Sequence, residues 1–219
     1  MKAIMRFGSE EQKQKYLPKL ATGEWLAAFA LTEPTSGSDA ASIHTRAELS
    51  ADGTHYILNG AKQWITNGSL AKIFTVFAVT GKDAKGRNEM TAFIVDRDTP
   101  GFNVGKDEHK MGIRGSVTNA LQFENLKVPK ENVIWEVGKG FQIAVNVLNE
   151  GRLGLGAGAV GAAKALIDMS IAHAKSREQF GHKIADFEMI KNKITDMMVQ
   201  TFAAESMVFF TTGLVDKGM

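Results

Sequence analysis

The feature that most constrains this chain is an abrupt change of hydrophobic period near Gly138. Across residues 25–133, apolar residues come in short runs separated by turn chemistry: Asp52-Gly53, Asn59-Gly60, Asn67-Gly68, Lys85-Gly86 and Thr99-Pro100-Gly101. Asn-Gly and Asp-Gly pairs tolerate the positive φ that tight hairpins need. The runs at 25–32, 43–49, 54–58, 62–66, 73–80, 91–95 and 120–123 are therefore expected as strands. Many short strands at this spacing argue for a sandwich or barrel.

After Gly138 the apolar residues recur at three- and four-residue steps, the period of a helix face. Phe141, Ala144, Val147 and Leu148 form one such set; Leu166, Met169 and Ala172 form a second. Phe187, Ile190, Ile194, Met197, Met198 and Phe202 form a third, with Asp186 as the expected N-cap. At the start, Ser9 to Gln12 has the S-x-x-Q spacing of a capping box, so a helix begins there, limited by Pro18 and Gly23. The expected class is α+β and multi-domain: an antiparallel β-barrel or sandwich over 27–136, flanked by helical segments at 1–26 and 137–219. The last helix runs to Met219 without partners for its apolar face, which suggests a fragment or an oligomer.

The 219 residues carry a net charge of +2 with acidic and basic residues interspersed, so nothing in the charge draws the chain to nucleic acid. With no cysteine there are no disulfides, thiol nucleophiles or cysteine metal sites. The five histidines, at 44, 55, 109, 173 and 182, are too scattered for a helical metal site, and no metal is expected. No apolar run approaches the length of a membrane span, and residues 1–13 lack a signal-peptide core.

Four motifs could carry chemistry. Gly156, Gly158 and Gly161 match G-x-G-x-x-G, which binds dinucleotides only between a strand and a helix. Residues 145–155 do not read as a buried strand, so the glycines are better read as a helix surface for close packing. Residues 31–39 follow an apolar strand with small, hydroxylated residues whose free N–H groups can hold an anion or a ring edge; an ordinary capped turn has the same composition. Trp64-Ile65-Thr66-Asn67-Gly68 offers an indole to stack and a hydroxyl to bond, or simply a core tryptophan. Arg177-Glu178-Gln179-Phe180-Gly181, between two helices, offers a phosphate-binding guanidinium or a charge at a helix C-terminus.

In this order the motifs resemble the acyl-CoA dehydrogenase family over essentially the whole chain. Leu31-Thr32-Glu33-Pro34, Ser36-Gly37-Ser38-Asp39 and Trp64-Ile65-Thr66-Asn67-Gly68 are similar to its middle-domain signature. Met111-Gly112-Ile113-Arg114, Phe123-Glu124-Asn125, Val128-Pro129 and Arg177-x-x-Phe180-Gly181 sit where that family has similar words. Phe7 to Lys13, Lys15 to Pro18, and Asn149-x-Gly151-Arg152 resemble the very-long-chain type. The resemblance implies FAD as cofactor, held by Phe29, Leu31, Thr32, Gly37, Ser38, Trp64, Ile65 and Thr66, with Thr32 on the ring edge and Thr66 near the hydride-accepting nitrogen. It implies that Arg177 and Gln179 reach the FAD of a neighbouring subunit and that Phe180 also binds the cofactor, with Phe187 and Glu188 nearby; Glu188 stands where many relatives have glutamine. Ser38, Asn149 and Arg152 would line the acyl-CoA site.

The implied reaction is α,β-dehydrogenation of acyl-CoA, with electrons passed to electron-transferring flavoprotein. The implied assembly is a homodimer or homotetramer, cytoplasmic in a bacterium and in the mitochondrial matrix in a eukaryote. No catalytic base is assigned among these residues. Most relatives keep theirs further along the C-terminal helices, and a minority on the first long helix, at the position of Gly151 here. Glu150 is adjacent, but one helical residue turns a side chain by about 100°. Three readings stand side by side: a dehydrogenase, a non-catalytic flavin-binding or assembly module of the same fold, and a nicotinamide enzyme built on Gly156, which needs a strand before it. Acyl-CoA oxidases share the fold.

Overall fold

The computed structural model describes residues 1–218, and the chain divides into two compact units, Met1–Val147 and Leu148–Met219. The first unit opens with helices α1 (Lys2–Phe7) and α2 (Glu10–Ala21). The capping box forms as expected: the Ser9 hydroxyl accepts from the Gln12 N–H and the Gln12 side chain accepts from the Ser9 N–H, both at 3.2 Å. Pro18 does not end α2 but lies inside it; the helix runs on to Ala21 before Gly23 turns at φ +76°. The Gln12 amide also donates to the carbonyls of Glu131 (2.7 Å) and Val133 (2.8 Å), which ties α2 to the far end of the β domain.

Seven strands follow: β1 (Ala27–Ala30), β2 (Arg46–Leu49), β3 (His55–Thr66), β4 (Ile73–Lys82), β5 (Asn88–Asp96), β6 (Phe102–Asp107) and β7 (Thr118–Pro129). They form one curled sheet in the order β1-β4-β2-β3-β7-β6, with β5 on the other edge of β4. The rings of Phe74 on β4 and Phe102 on β6 meet edge-on at 4.6 Å, although three strands separate them in that order; this contact marks the curl. Most pairings are antiparallel, but β1–β4 and β2–β4 are parallel. Alternation along β4 sends Phe74 and Val76 into one core with Tyr56, Leu58, Phe93 and Leu126. Ile73 and Phe77 go to a second core shared with Ile4, Tyr16, Ile94 and Ile143. Being buried on both faces, β4 and β5 read as continuous apolar runs.

Three of the turn sequences do not close hairpins. Asn59-Gly60 is not a hairpin: β3 runs straight through it, with a register shift between Leu58 and Gly60 against β7. Gly60 takes φ +147°, and a Cβ there would stand 2.6 Å from Thr45 Oγ1. Asn67-Gly68 and Thr99-Pro100-Gly101 turn the chain but join strands that do not pair with each other. Asp52-Gly53 and Lys85-Gly86 do close hairpins, β2–β3 and β4–β5. The short strand β6 was not anticipated: only Phe102 and Val104 of it pack on a core, too few to set a period.

Helix α3 (Gly140–Ser176) leaves the first unit and continues into the second, followed by a two-residue hairpin, β8 (Glu178–Gln179) and β9 (His182–Lys183), and by α4 (Glu188–Asp216). Of the apolar set at its start, Ala144 is buried and Val147 half-buried, whereas Phe141 and Leu148 are exposed; Ile143, outside that set, is buried beside Ala144. Asp186 does not cap α4; it lies in a 3₁₀ turn, and Phe187 occupies the N-cap without a side-chain bond. In the second unit, Val160 and Ile167 of α3 and Met197, Thr201 and Val208 of α4 line a groove of about 600 Å³, and Lys164 pairs with Glu205 at 2.8 Å. Of the five glycines at 151–161, only Gly156 has a neighbour for a Cβ, Val208 at 3.5 Å; the other four face open space, so the close packing expected of them is not made among the described residues.

Both α3 and α4 are long and apolar enough to cross a membrane by length and composition, a property that apolar runs alone do not show. The uncharged glycine- and alanine-rich stretch between Arg152 and Lys164 raises the mean hydropathy of α3 without any long run of large side chains. Core helices of water-soluble proteins pass the same test.

Candidate flavin and acyl thioester site

In the first unit the structure brings two of the sequence motifs side by side. The 31–39 segment leaves the end of β1, and the Trp64 motif ends β3. The Gln63 N–H donates to the Thr32 carbonyl at 2.9 Å, which places the two strand ends edge to edge. One residue earlier, the Lys62 ammonium donates to the Leu31 carbonyl (3.1 Å) and to Glu33 Oε1 (2.8 Å). Lys62 is fully buried and the Glu33 side chain is 3% exposed.

The Glu33 carboxylate has further partners. It accepts from the backbone N–H groups of His44 (2.5 Å) and Thr45 (3.0 Å), while the Glu33 backbone exchanges hydrogen bonds with Ser36. Burial alone would raise the Glu33 carboxyl, but the Lys62 charge and these donors hold it below the ordinary carboxylate range. Burial lowers the Lys62 ammonium to about 8 against the pull of Glu33.

Beyond Lys62 the strand bulges. Lys62 pairs with Leu121 and Ile65 with Asn119, so three steps on β3 span two on β7. A bulge bends a strand and re-aims its side chains. Trp64 takes φ +59° and is 59% exposed, which rules out a core tryptophan, while Ile65 is buried in the core. A non-glycine residue held in the left-handed region costs about 1–3 kcal/mol and tends to sit at functional sites.

Thr66 is exposed beside Trp64, and Thr32 is half-buried across the Gln63 bond. Gly37 and Ser38 are exposed, and among the described residues the N–H groups of Thr35, Gly37 and Ser38 meet no acceptor. Phe29 is half-buried against Phe77, with ring centroids 4.9 Å apart, and the Leu31 side chain is buried in the second core. A flat exposed indole, two hydroxyls and open N–H donors at one strand end fit the ring of a flavin and its polar edge.

The turn that follows is fastened by residues that sequence reading missed. Asn119 is fully buried; its side-chain oxygen accepts from the Ser69 N–H (2.8 Å) and its amide donates to the Gly105 carbonyl (3.1 Å) and to Asp107 (2.8 Å). The Asn119 amide first, and then the Ser69 side chain, hold the Asp107 carboxyl below its ordinary range. Arg97 donates to the carbonyls of Gly68 and Ser69. Their only sequence signal was a polar residue inside an apolar run, as with Asn119 before Ala120 and Leu121.

In the second unit, Asn149 and Arg152 lie one turn apart on α3, and the Arg152 guanidinium donates to the Asn149 side chain at 2.7 Å. Arg177 follows α3, Gln179 ends β8, and Phe180 takes φ +57° with 91% of its surface exposed. The Phe180 ring meets Phe187 in a T-shape at 6.4 Å. Gly156, Gly158 and Gly161 lie inside α3 with helix on both sides, so the strand required by a nicotinamide fingerprint is absent. No group of metal-binding side chains occurs among the described residues.

Three family profiles match in order: acyl-CoA dehydrogenase N-terminal domain at residues 1–24, middle domain at 28–126 and C-terminal domain at 138–219. A probable acyl-CoA dehydrogenase of Bacillus subtilis is 49% identical over 99% of this chain and 36% of its own length. The human very long-chain specific acyl-CoA dehydrogenase, mitochondrial, is 48% identical over 99% of this chain and 34% of its own. An acyl-CoA dehydrogenase from Bacillus anthracis, solved in complex with FAD, superposes with a TM-score of 0.88 at 51% identity over 97% of this chain and 36% of that one. The chain thus spans about a third of the length of these relatives.

Proposed function

The chain belongs to the acyl-CoA dehydrogenase family, and we propose on that premise that it forms the flavin-holding part of an enzyme that removes α and β hydrogens from long-chain acyl-CoA thioesters. The observation that carries this reading is the exposed pair Trp64 and Thr66, on a strand end held against Thr32 by the bond from Gln63. Bound FAD would supply the hydride acceptor. Thr32 would hold the ring edge and Thr66 the neighbourhood of the accepting nitrogen. Trp64 would cover one face, and Phe29, Leu31, Gly37 and Ile65 would shape the walls. Ser38, Asn149 and Arg152 would line the thioester site, Arg177 and Gln179 would reach the FAD of a second subunit, and Phe180 would also bind the cofactor.

The domains are taken as 1–26, 27–136 and 137–219. The base that takes the α proton is assigned outside these residues, because Gly151 has no side chain to serve and Glu150 is turned away from that position on α3. The partners are acyl-CoA, electron-transferring flavoprotein and further copies of the chain in a dimer or tetramer, in the cytoplasm of a bacterium or the mitochondrial matrix of a eukaryote. In this reading α3 and α4 pack against protein and span no membrane. The same glycine supports a second reading, a non-catalytic flavin-binding or assembly module.

The test is to load the purified chain with FAD, record its visible spectrum and add palmitoyl-CoA without oxygen. A flavin band that persists supports a flavin-holding part whose base lies elsewhere. A band that bleaches places a base within these residues and makes Glu150 the residue to replace. A chain that takes up no FAD overturns the cofactor assignment.

A further inference from the structure

We propose that the buried Lys62–Glu33 pair is a positioning device, locking the turn that carries Thr32 and Ser38 onto the bulge that carries Trp64 and Thr66 so that both meet a flavin in a fixed geometry. This rests on the flavin reading above and assigns the pair a task within it. Neither side chain reaches the candidate cofactor surface, since both are buried; they act through the groups they hold.

The pair joins segments far apart in sequence. Lys62 fixes the Leu31 carbonyl immediately before Thr32, and sits two residues before Trp64. Glu33 binds Lys62 and the N–H groups of His44 and Thr45. Thr45 in turn accepts from the Val79 N–H of β4 through its carbonyl, and donates to Ala61 of β3 through its hydroxyl (3.3 Å). Within itself the turn has the two backbone bonds between Glu33 and Ser36 and the Ser36 hydroxyl donating to the Asp39 carbonyl; the Thr35 hydroxyl also lies 3.4 Å from Nδ1 of His44, whose N–H the Glu33 carboxylate holds. Its shape therefore depends on where the Glu33 carboxylate is held.

A buried ion pair is a weak source of net stability, because desolvation offsets attraction and apolar groups of similar volume often do as well. What such a pair adds is direction: four contacts from two charges leave little freedom to the groups they hold. Positioning matters at a cofactor surface, where a shift of about 1 Å can cost on the order of a hundredfold in rate.

The test compares Lys62→Met with Leu126→Ala in the 219-residue chain. Leu126 is fully buried in the core formed with Tyr56 and Phe93, so its truncation lowers the melting temperature without touching the turn. FAD affinity is measured below both melting temperatures, and amide exchange at Glu33, Ser36, His44 and Thr45 is followed in the cofactor-free chains. Lys62→Met is expected to weaken FAD binding at least tenfold and to speed exchange at those four amides by a similar factor. Leu126→Ala is expected to leave FAD affinity within about twofold. Glu33→Asp keeps the charge, shortens its reach and should act in the same direction, which keeps the test open if Lys62→Met does not fold.

Loss of affinity in proportion to melting temperature across all three variants would make the pair merely structural and overturn the proposal. Unaccelerated exchange at the four amides would overturn it whatever FAD does. A wild-type chain that binds no FAD would defeat the flavin reading and this use of the pair with it, whereas a wild type that binds and a Lys62→Met that binds equally well would defeat the positioning role alone.

Discussion

Gly68 lies so close to Asn119 that a Cβ on Gly68 would come within 2.7 Å of the Asn119 Cβ. The contact closes the turn after Thr66, because the Asn119 side chain also receives the Ser69 N–H. Gly68→Ala forces the turn away from β7 and is expected to destabilise the chain by about 1–3 kcal/mol, the usual range for overpacking. Asn119→Ala leaves the half-buried Ser69 donor without its acceptor and should cost a similar amount, about 1–3 kcal/mol. Urea denaturation of the two variants checks both values.

The Lys62–Glu33 pair sets two arms of a stability–pH profile. The folded pKa of Glu33 is lowered, so its contribution is present above the unfolded value near 4.5 and is lost as pH falls below it. The folded pKa of Lys62 is also lowered, from 10.5 to about 8. From about 8 to 10.5 the unfolded chain binds more protons at this site than the folded one, so the lysine contributes rising stability over that window. Against Lys62→Met/Glu33→Gln, the wild type is expected to lose ground below pH 4.5 and gain ground above pH 8. Chemical denaturation across both windows measures the two differences.

Trp64 spends backbone strain to stay exposed. Glycine removes that strain and alanine keeps it, so Trp64→Gly should be about 1 kcal/mol more stable than Trp64→Ala after glycine's entropic cost is counted. Both should weaken FAD binding by losing the ring. Paired melts and flavin titrations separate the two effects.

Phe202, Phe209 and Phe210 are 72%, 70% and 69% exposed on α4. Contiguous exposed apolar surface is the kind through which chains associate. If copies of the chain associate through it, Phe202→Glu and Phe209→Glu together should lower the weight-average mass in sedimentation at fixed concentration, with the circular dichroism of the β domain unchanged.

The middle β domain was legible because its strands bury one face or both, so period and turn chemistry agreed for β2, β4 and β5. Asn59-Gly60 misled because local turn propensity was overridden: β7 runs alongside both halves of β3, and Thr45 fills the space beside Gly60. β6 was missed because only two of its side chains face the core. In the candidate site, Thr32, Ser38 and Trp64 stood out as motif words. Lys62 and Asn119 did not, because their importance lies in buried contacts across 29 and 50 residues of sequence that no local pattern records.

The pairing of β3 with β7 also sets an order of events during synthesis. Tyr56 must wait for Val128 and Thr66 for Thr118. Until residue 129 has left the ribosome, one long side of β3 has no partner, and its apolar residues face a core that is not yet closed. Closing such distant pairs is slow, and an open strand edge invites other chains. A nascent chain halted between β5 and β7 is therefore the form of this protein most exposed to aggregation, and the one for which a chaperone would matter most.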